Sequence, residues 1–287
     1  GRAIAELLAV DEEAGTVWVT GSPDPTQTQL YWLPLSGQGE PIRATSVAGV
    51  HGAEFGRGHS IYVHTYEGID GEIRYTVHRR GGDLLGDIRS VAEKPRLEPR
   101  LEFTTVGDSL RFHAVLVRPR DFKPGRRYPV LVSVYGGPHS QMVVAAPSRY
   151  LLAQWFADRG FIVVSIDGRG TPSRGRTWER AIQGNLIDVS LGDQTAALRM
   201  LGAKYPEMDL KRVGIYGWSF GGYFSAMAVM REPDVFRAGI AGAPVVDWRD
   251  YDTFYTERYL GLPQSNPRGY EASSVLTWAK SLARPLM

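Results

Sequence analysis

The chain has 287 residues, of which 33 are Lys or Arg and 31 Asp or Glu, a formal charge of +2. Such a balance gives no general attraction to nucleic acid or to an acidic membrane surface, and the basic clusters at 118–127 and 174–180 are broken up by Pro, Gly, Asp and Glu as solvated loops are. Cysteine is absent, which excludes disulfides and thiolate metal sites while leaving the compartment open; no run of about 18 apolar residues suggests a membrane span.

The sequence opens on Gly-Arg-Ala-Ile, without Met or a signal-peptide pattern, and is expected to start at a cut or processed end. Up to residue 98 it consists of short period-two strands punctuated by turns, and it repeats. Strands expected over 16–20 and 29–33, followed by a turn segment at 34–39, are echoed at 60–64, 74–78 and 79–85. Val17 to Ile61 is a step of 44 residues, and a four-stranded propeller blade recurs every ~40–50 residues. Two blades are therefore expected, with further blades upstream because propellers close only with about 4–8. A small antiparallel sandwich would give the same alternation.

Residues 92–99 form a charged, Pro-containing connector, and beyond it the pattern changes. Strands are expected over 110–117, 129–134, 161–166, 212–216 and 237–241, with helices over 148–159, 193–205 and 220–230. Strands alternating with helices imply a mostly parallel sheet covered on both faces, with ligands at the carboxyl ends of its strands. Three motifs fall at such ends: Tyr-Gly-Gly-Pro at 135–138, Asp-Gly-Arg-Gly at 167–170, and Gly-Trp-Ser-Phe-Gly at 217–221.

The last of these lies between an apolar strand and an apolar helix, the context of a nucleophile elbow. Such a turn needs Gly on either side of the Ser, exposes its Oγ at the apex and frees the next backbone N–H to face an oxyanion. Ser219 is thus the candidate nucleophile, and the Phe220 N–H a candidate oxyanion donor. The loop after an earlier strand supplies the second donor in α/β-hydrolases, and the Tyr135 phenol has the reach for it. A strand-end tyrosine packed beside Pro138 is the structural alternative.

Close downstream, Val245, Trp248, Tyr251 and Tyr255 gather apolar and aromatic side chains. The last three are spaced for one face of a short helix. A stripe of this kind serves a core as readily as a pocket, but ring walls beside a nucleophile suit a flat, compact side chain such as proline. All six histidines precede Ser219, whereas α/β-hydrolases run Ser, acid, His. The chain is therefore expected to stop before its general base.

On the motifs at 217–223, 134–141, 167–170 and 251–263 the chain resembles the prolyl oligopeptidase family of serine peptidases, in its dipeptidyl peptidase IV branch; residues 8–35 are also similar to a late propeller blade of these enzymes. The resemblance implies an α/β-hydrolase domain over 99–287, incomplete at its C-terminus, preceded by the last two blades of an antiparallel β-propeller over 1–98. It implies release of N-terminal dipeptides with Pro or Ala in second place, no cofactor or metal, and often an exported homodimer joined through the hydrolase domain. Ser219 would be the nucleophile, Tyr135 O–H and Phe220 N–H the oxyanion hole, and Val245, Trp248, Tyr251, Tyr255 and the Phe220 ring the proline pocket. Phe220 departs from the Tyr common after the nucleophile, which keeps the backbone donor and loses the phenol. Nothing here matches the triad Asp and His or the carboxylates that grip a substrate's amino terminus. Segments at 234–237, 243–248 and 266–270 also resemble prolyl tripeptidyl peptidases, and acylaminoacyl peptidases share the chemistry. A module that holds peptides without cleaving them is the reading from a different class.

Overall fold

The computed structural model describes residues 3–287, with side chains from Glu6 onward. The chain divides into two compact units, one of Gly1–Glu98 with Val144–Leu151 and Ser173–Gly175, the other of Pro99–Val143, Leu152–Pro172 and Arg176–Met287.

The first unit holds two antiparallel sheets whose strands neighbour one another in sequence order, the pattern of propeller blades. One contains β1 (Ala3–Asp11), β2 (Thr16–Ser22), β3 (Gln29–Pro34) and β4 (Ile42–Arg43); the other contains β5 (Gly49–Phe55), β6 (Ile61–Gly68), β7 (Ile73–Arg79) and β8 (Leu84–Asp87). Each blade thus has a first strand, β1 or β5, ahead of the segments that repeat visibly in sequence. The buried face between them is aromatic: Trp18 of β2 lies 5.3 Å from Phe55 and 5.4 Å from Tyr62, ring centroid to ring centroid, with Ala9, Leu30 and Ala53 around them.

The second unit is an α/β-hydrolase built on a six-stranded sheet. Its strands are β9 (Leu101–Val106), β10 (Phe112–Val117), β11 (Tyr128–Ser133), β12 (Ile162–Asp167), β13 (Met208–Trp218) and β14 (Ala238–Gly242), in the spatial order β14-β13-β11-β12-β10-β9. The four from β14 to β12 are parallel, and β10 and β9 add to the β12 edge as an antiparallel pair. Every residue of β12 is buried, as a parallel strand covered on both faces requires. Its helices are α1 (Leu151–Ala157), α2 (Arg176–Glu179), α3 (Asp188–Lys204), α4 (Phe220–Arg231), α5 (Thr253–Leu260), α6 (Pro267–Ser273) and α7 (Val275–Trp278). The core is continuous from the sheet through α4, whose residues 220–230 are all buried.

Two helices differ from expectation. The segment expected as one helix over 148–159 is a 3-10 turn, Pro147–Tyr150, running into α1, and it closes at Gly160, whose N–H bonds the Ala157 carbonyl. Helix α3 starts five residues before the expected 193, because the Asn185 side chain accepts from the N–H groups of Ile187 and Asp188 and nucleates its first turn.

Candidate active site

The order of the sheet puts the carboxyl end of β13 between those of β11 and β14. At that end Ser219 takes φ 57° and ψ −115°, its N–H donates to the Gly242 carbonyl at 2.9 Å, and its carbonyl accepts from Tyr223 N–H in the first turn of α4. The chain therefore reverses at a single residue. A Cβ at position 217 or 221 would overlap the Val134 carbonyl oxygen, which explains the two glycines: the end of β11 passes against the elbow with no room for a side chain. The residue after Val134 is Tyr135, so the same close approach brings its loop beside Ser219.

That loop is held at its far end as well. The Asp167 carboxylate, at the carboxyl end of β12, accepts from Met142 N–H at 2.9 Å and Val143 N–H at 2.8 Å. Two residues on, Arg169 makes a two-pronged ion pair with the buried Asp193 of α3, Nη2 to Oδ1 at 2.7 Å and Nε to Oδ2 at 2.9 Å, while its own N–H donates to Oδ2. The Asp-Gly-Arg-Gly motif thus fixes the loop and the strand end rather than reaching the elbow.

The expected pocket residues come together, though not on one helix. Trp248 lies in a 3-10 turn, Trp248–Asp250, Tyr251 is extended at φ −93° and ψ 166°, and Tyr255 belongs to α5. Two aspartates impose the break: Asp247 caps the first turn by accepting from Arg249 N–H, and Asp252 caps α5 by accepting from Tyr255 N–H at 2.8 Å. The rings still meet. Trp248 stands 5.5 Å from Phe220, 5.7 Å from Tyr251 and 5.9 Å from Tyr255, while Phe220 stands 5.6 Å from Tyr135. Trp248 and Phe220 are 1% and 2% exposed and Tyr251 is 42% exposed, so the cluster has a buried floor and an open rim. Val245, Tyr135 and Tyr255 are half-buried against the same core.

A profile of the prolyl oligopeptidase family matches residues 147–287. Over 94% of its length the chain is 34% identical to dipeptidyl peptidase 8 of Mus musculus and to a probable dipeptidyl-aminopeptidase B of Aspergillus fumigatus, covering 32% and 31% of those proteins. The crystal structure of Porphyromonas gingivalis dipeptidyl peptidase 4 superposes on 99% of the chain with a TM-score of 0.90 at 34% identity. This chain belongs to the prolyl oligopeptidase family. Within that family it falls in the dipeptidyl peptidase IV branch, and it spans about a third of the length of these curated relatives.

For this family member the Phe220 ring packs over Gly137, where a Cβ would strike it, and between Tyr135, Tyr223 and Trp248. Burial raises the Tyr135 phenol above the usual tyrosine range, with Tyr251 and Tyr259 adding to it, so it stays a donor at neutral pH. Tyr255 is raised further by burial and by Tyr135, and its hydroxyl is buried without a hydrogen-bond partner. Asp247 is drawn down to about 2 by hydrogen bonds from Arg249, and it also accepts from Ser274 Oγ, which pins the loop carrying Trp248 to the start of α7.

Two residues of the site escaped the sequence reading. Tyr259 continues the tyrosine row of α5 one turn beyond Tyr255, at a ring distance of 5.0 Å, and its hydroxyl meets His139 Nε2 at 2.5 Å. The i, i+4 spacing of Tyr255 and Tyr259 was the available signal for the tyrosine; nothing local singled out the histidine. Among the described residues no imidazole is hydrogen-bonded to Ser219 Oγ, no three His, Asp or Glu side chains group as metal ligands, and no helix is long and apolar enough to cross a membrane.

Proposed function

We propose that this chain carries the nucleophile, the oxyanion donors and the proline pocket of a serine exopeptidase that releases N-terminal dipeptides with Pro or Ala in second place. The observation that carries the reading is the junction at Val134, where one carbonyl oxygen lies against the glycines on both sides of Ser219 and the next residue is Tyr135. Ser219 Oγ attacks the scissile carbonyl and gives its proton to a general base. The carbonyl oxygen, now negative, is received by Phe220 N–H and Tyr135 O–H. Collapse, with the base passing its proton to the leaving nitrogen, expels the amine and leaves an acyl-enzyme, which water cleaves by the same addition and collapse, returning the proton to Ser219.

No histidine follows Ser219 in these residues, and the chain corresponds to about a third of its curated relatives. The proposed activity is that of a polypeptide of the relatives' length, and a preparation of these 287 residues alone is expected to be inert. Triad loss in serine proteases leaves only roughly 10³–10⁴-fold over water. The same reading includes a homodimer through the hydrolase unit, which sedimentation would test.

The deciding experiment is made in the full-length polypeptide. Tyr135→Phe lowers kcat for a Gly-Pro amide by about 10²–10³ with little change in KM, since an oxyanion donor acts on the transition state. An unchanged kcat leaves Tyr135 a packing residue. Cleavage of an Ala-Ala-Pro-ended peptide in preference to a Gly-Pro-ended one would indicate a tripeptidyl peptidase, and binding of both without cleavage a peptide-holding module.

A further inference from the structure

His139 lies four residues after Tyr135 on the loop that follows β11, and Tyr259 lies four residues after Tyr255 on α5. Their side chains join the two elements. Tyr259 Oη stands 2.5 Å from His139 Nε2, and the His139 ring packs 5.6 Å from Tyr255 and 5.8 Å from Tyr259. His139 takes φ 70°, a left-handed backbone uncommon for a residue other than glycine. Nearby, the buried Tyr255 hydroxyl makes no hydrogen bond that would fix its position.

We propose that His139 and Tyr259 form a brace that sets the distance between the Tyr135 loop and α5, and so positions the Tyr135 phenol over Ser219. The inference rests on the site reading above. His139 is a positioning residue: it acts through Tyr135 and does not touch the reacting atoms. The groups around it are Arg258, Tyr255 and Tyr259 on α5 and Glu179 at the end of α2. Burial and Arg258 lower its pKa while Glu179 raises it, which favours the neutral ring, joined to the Tyr259 hydroxyl through Nε2. A side chain that can hydrogen-bond Tyr259 at similar reach can replace it; an alanine cannot.

The test uses full-length enzyme carrying His139→Ala, His139→Gln or Tyr259→Phe, alone and combined with Tyr135→Phe. The expected result is that His139→Ala and Tyr259→Phe each lower kcat by about tenfold, since a misplacement of about 1 Å costs up to ~10², while KM moves by about twofold or less. His139→Gln recovers most of the loss. Added to Tyr135→Phe, His139→Ala causes no further fall, because the donor it positions is already gone. In the same enzyme, imidazole nitrogen shifts report the tautomer of His139, and Tyr259→Phe moves the Nε2 signal. The brace is overturned if kcat is unchanged in His139→Ala while Tyr135→Phe is impaired, or if the two losses multiply. A Tyr135→Phe enzyme with unchanged kcat overturns it together with the site reading. An Nε2 signal indifferent to Tyr259→Phe overturns the brace alone.

Discussion

His51 Nδ1 lies 2.9 Å from His64 Nε2, with the two imidazole planes parallel to within 2°. The other nitrogen of His51 bonds the Val47 carbonyl at 2.9 Å and must therefore be the donor, so Nδ1 accepts and His64 supplies the proton. Both rings are neutral in this arrangement. On its far side His64 faces Thr76, which in turn lies 2.8 Å from His78.

Burial lowers His64 from 6.5 to about 4, with the charges of His51 and His78 adding to the effect, and it lowers His51 too, where Arg43 contributes. A folded-state pKa below the unfolded one means that the unfolded chain binds more protons as pH falls. Stability is then complete above about 6.5 and declines toward about 4, where the folded His64 protonates as well. Denaturation midpoints of the blade unit, followed by tryptophan emission, should fall over that window. His64→Gln should flatten the slope, and a flat wild-type profile would remove the paired neutral histidines from the account.

Arg169→Ala leaves the Asp193 carboxylate, whose side chain is 4% exposed, with a single backbone donor and no cation. The expected loss is about 2–3 kcal/mol, less than the ~3–5 for a fully buried pair because the Arg169 side chain keeps a third of its surface in water. Urea denaturation measures it, and a loss within about 0.5 kcal/mol would mean that Asp193 is resolvated.

Trp248 and Tyr251 should respond differently to truncation. Trp248→Ala empties the buried floor of the cluster and should destabilise by about 3–5 kcal/mol. Tyr251, at 42% exposed, should cost about 1 kcal/mol or less when trimmed to Ala, yet weaken kcat/KM for Gly-Pro substrates and relax the penalty against Leu. Rates on Pro, Ala and Leu substrates, taken beside the denaturation midpoint of each variant, check both halves. An unchanged substrate ranking in Tyr251→Ala would make the cluster core alone.

The elements with a strong local pattern were legible before the fold was known. The nucleophile elbow declared itself because Gly217 and Gly221 are required by a steric contact that a sequence motif can encode. The blade repeat was visible through β2, β3, β6 and β7, whose apolar alternation is regular. Strands β1 and β5 went unread, since Gly49 and Gly52 dilute the pattern of β5 and the Glu and Ala residues of β1 blur its two faces. Strand β9 was hidden next to a charged connector, because it is held by pairing with β10 rather than by its own composition. In the site, spacing found the rings but misjudged what carries them. Asp247 and Asp252 could be read as caps only once the loop between them was seen. The His139 contact joins residues 120 apart and leaves no trace in either neighbourhood.

The backbone of Ser219 places the left-handed φ of 57° on a residue with a side chain. A non-glycine residue in so sparsely populated a region costs of order 1–3 kcal/mol. Ser219→Gly would therefore be a stabilising substitution, detectable as a higher melting temperature, and it would abolish the chemistry proposed for the site. Folding alone gives this protein no reason to keep a hydroxyl at position 219. A screen that selects only for thermal tolerance should replace that serine early, whereas a screen for peptide turnover should never accept the change.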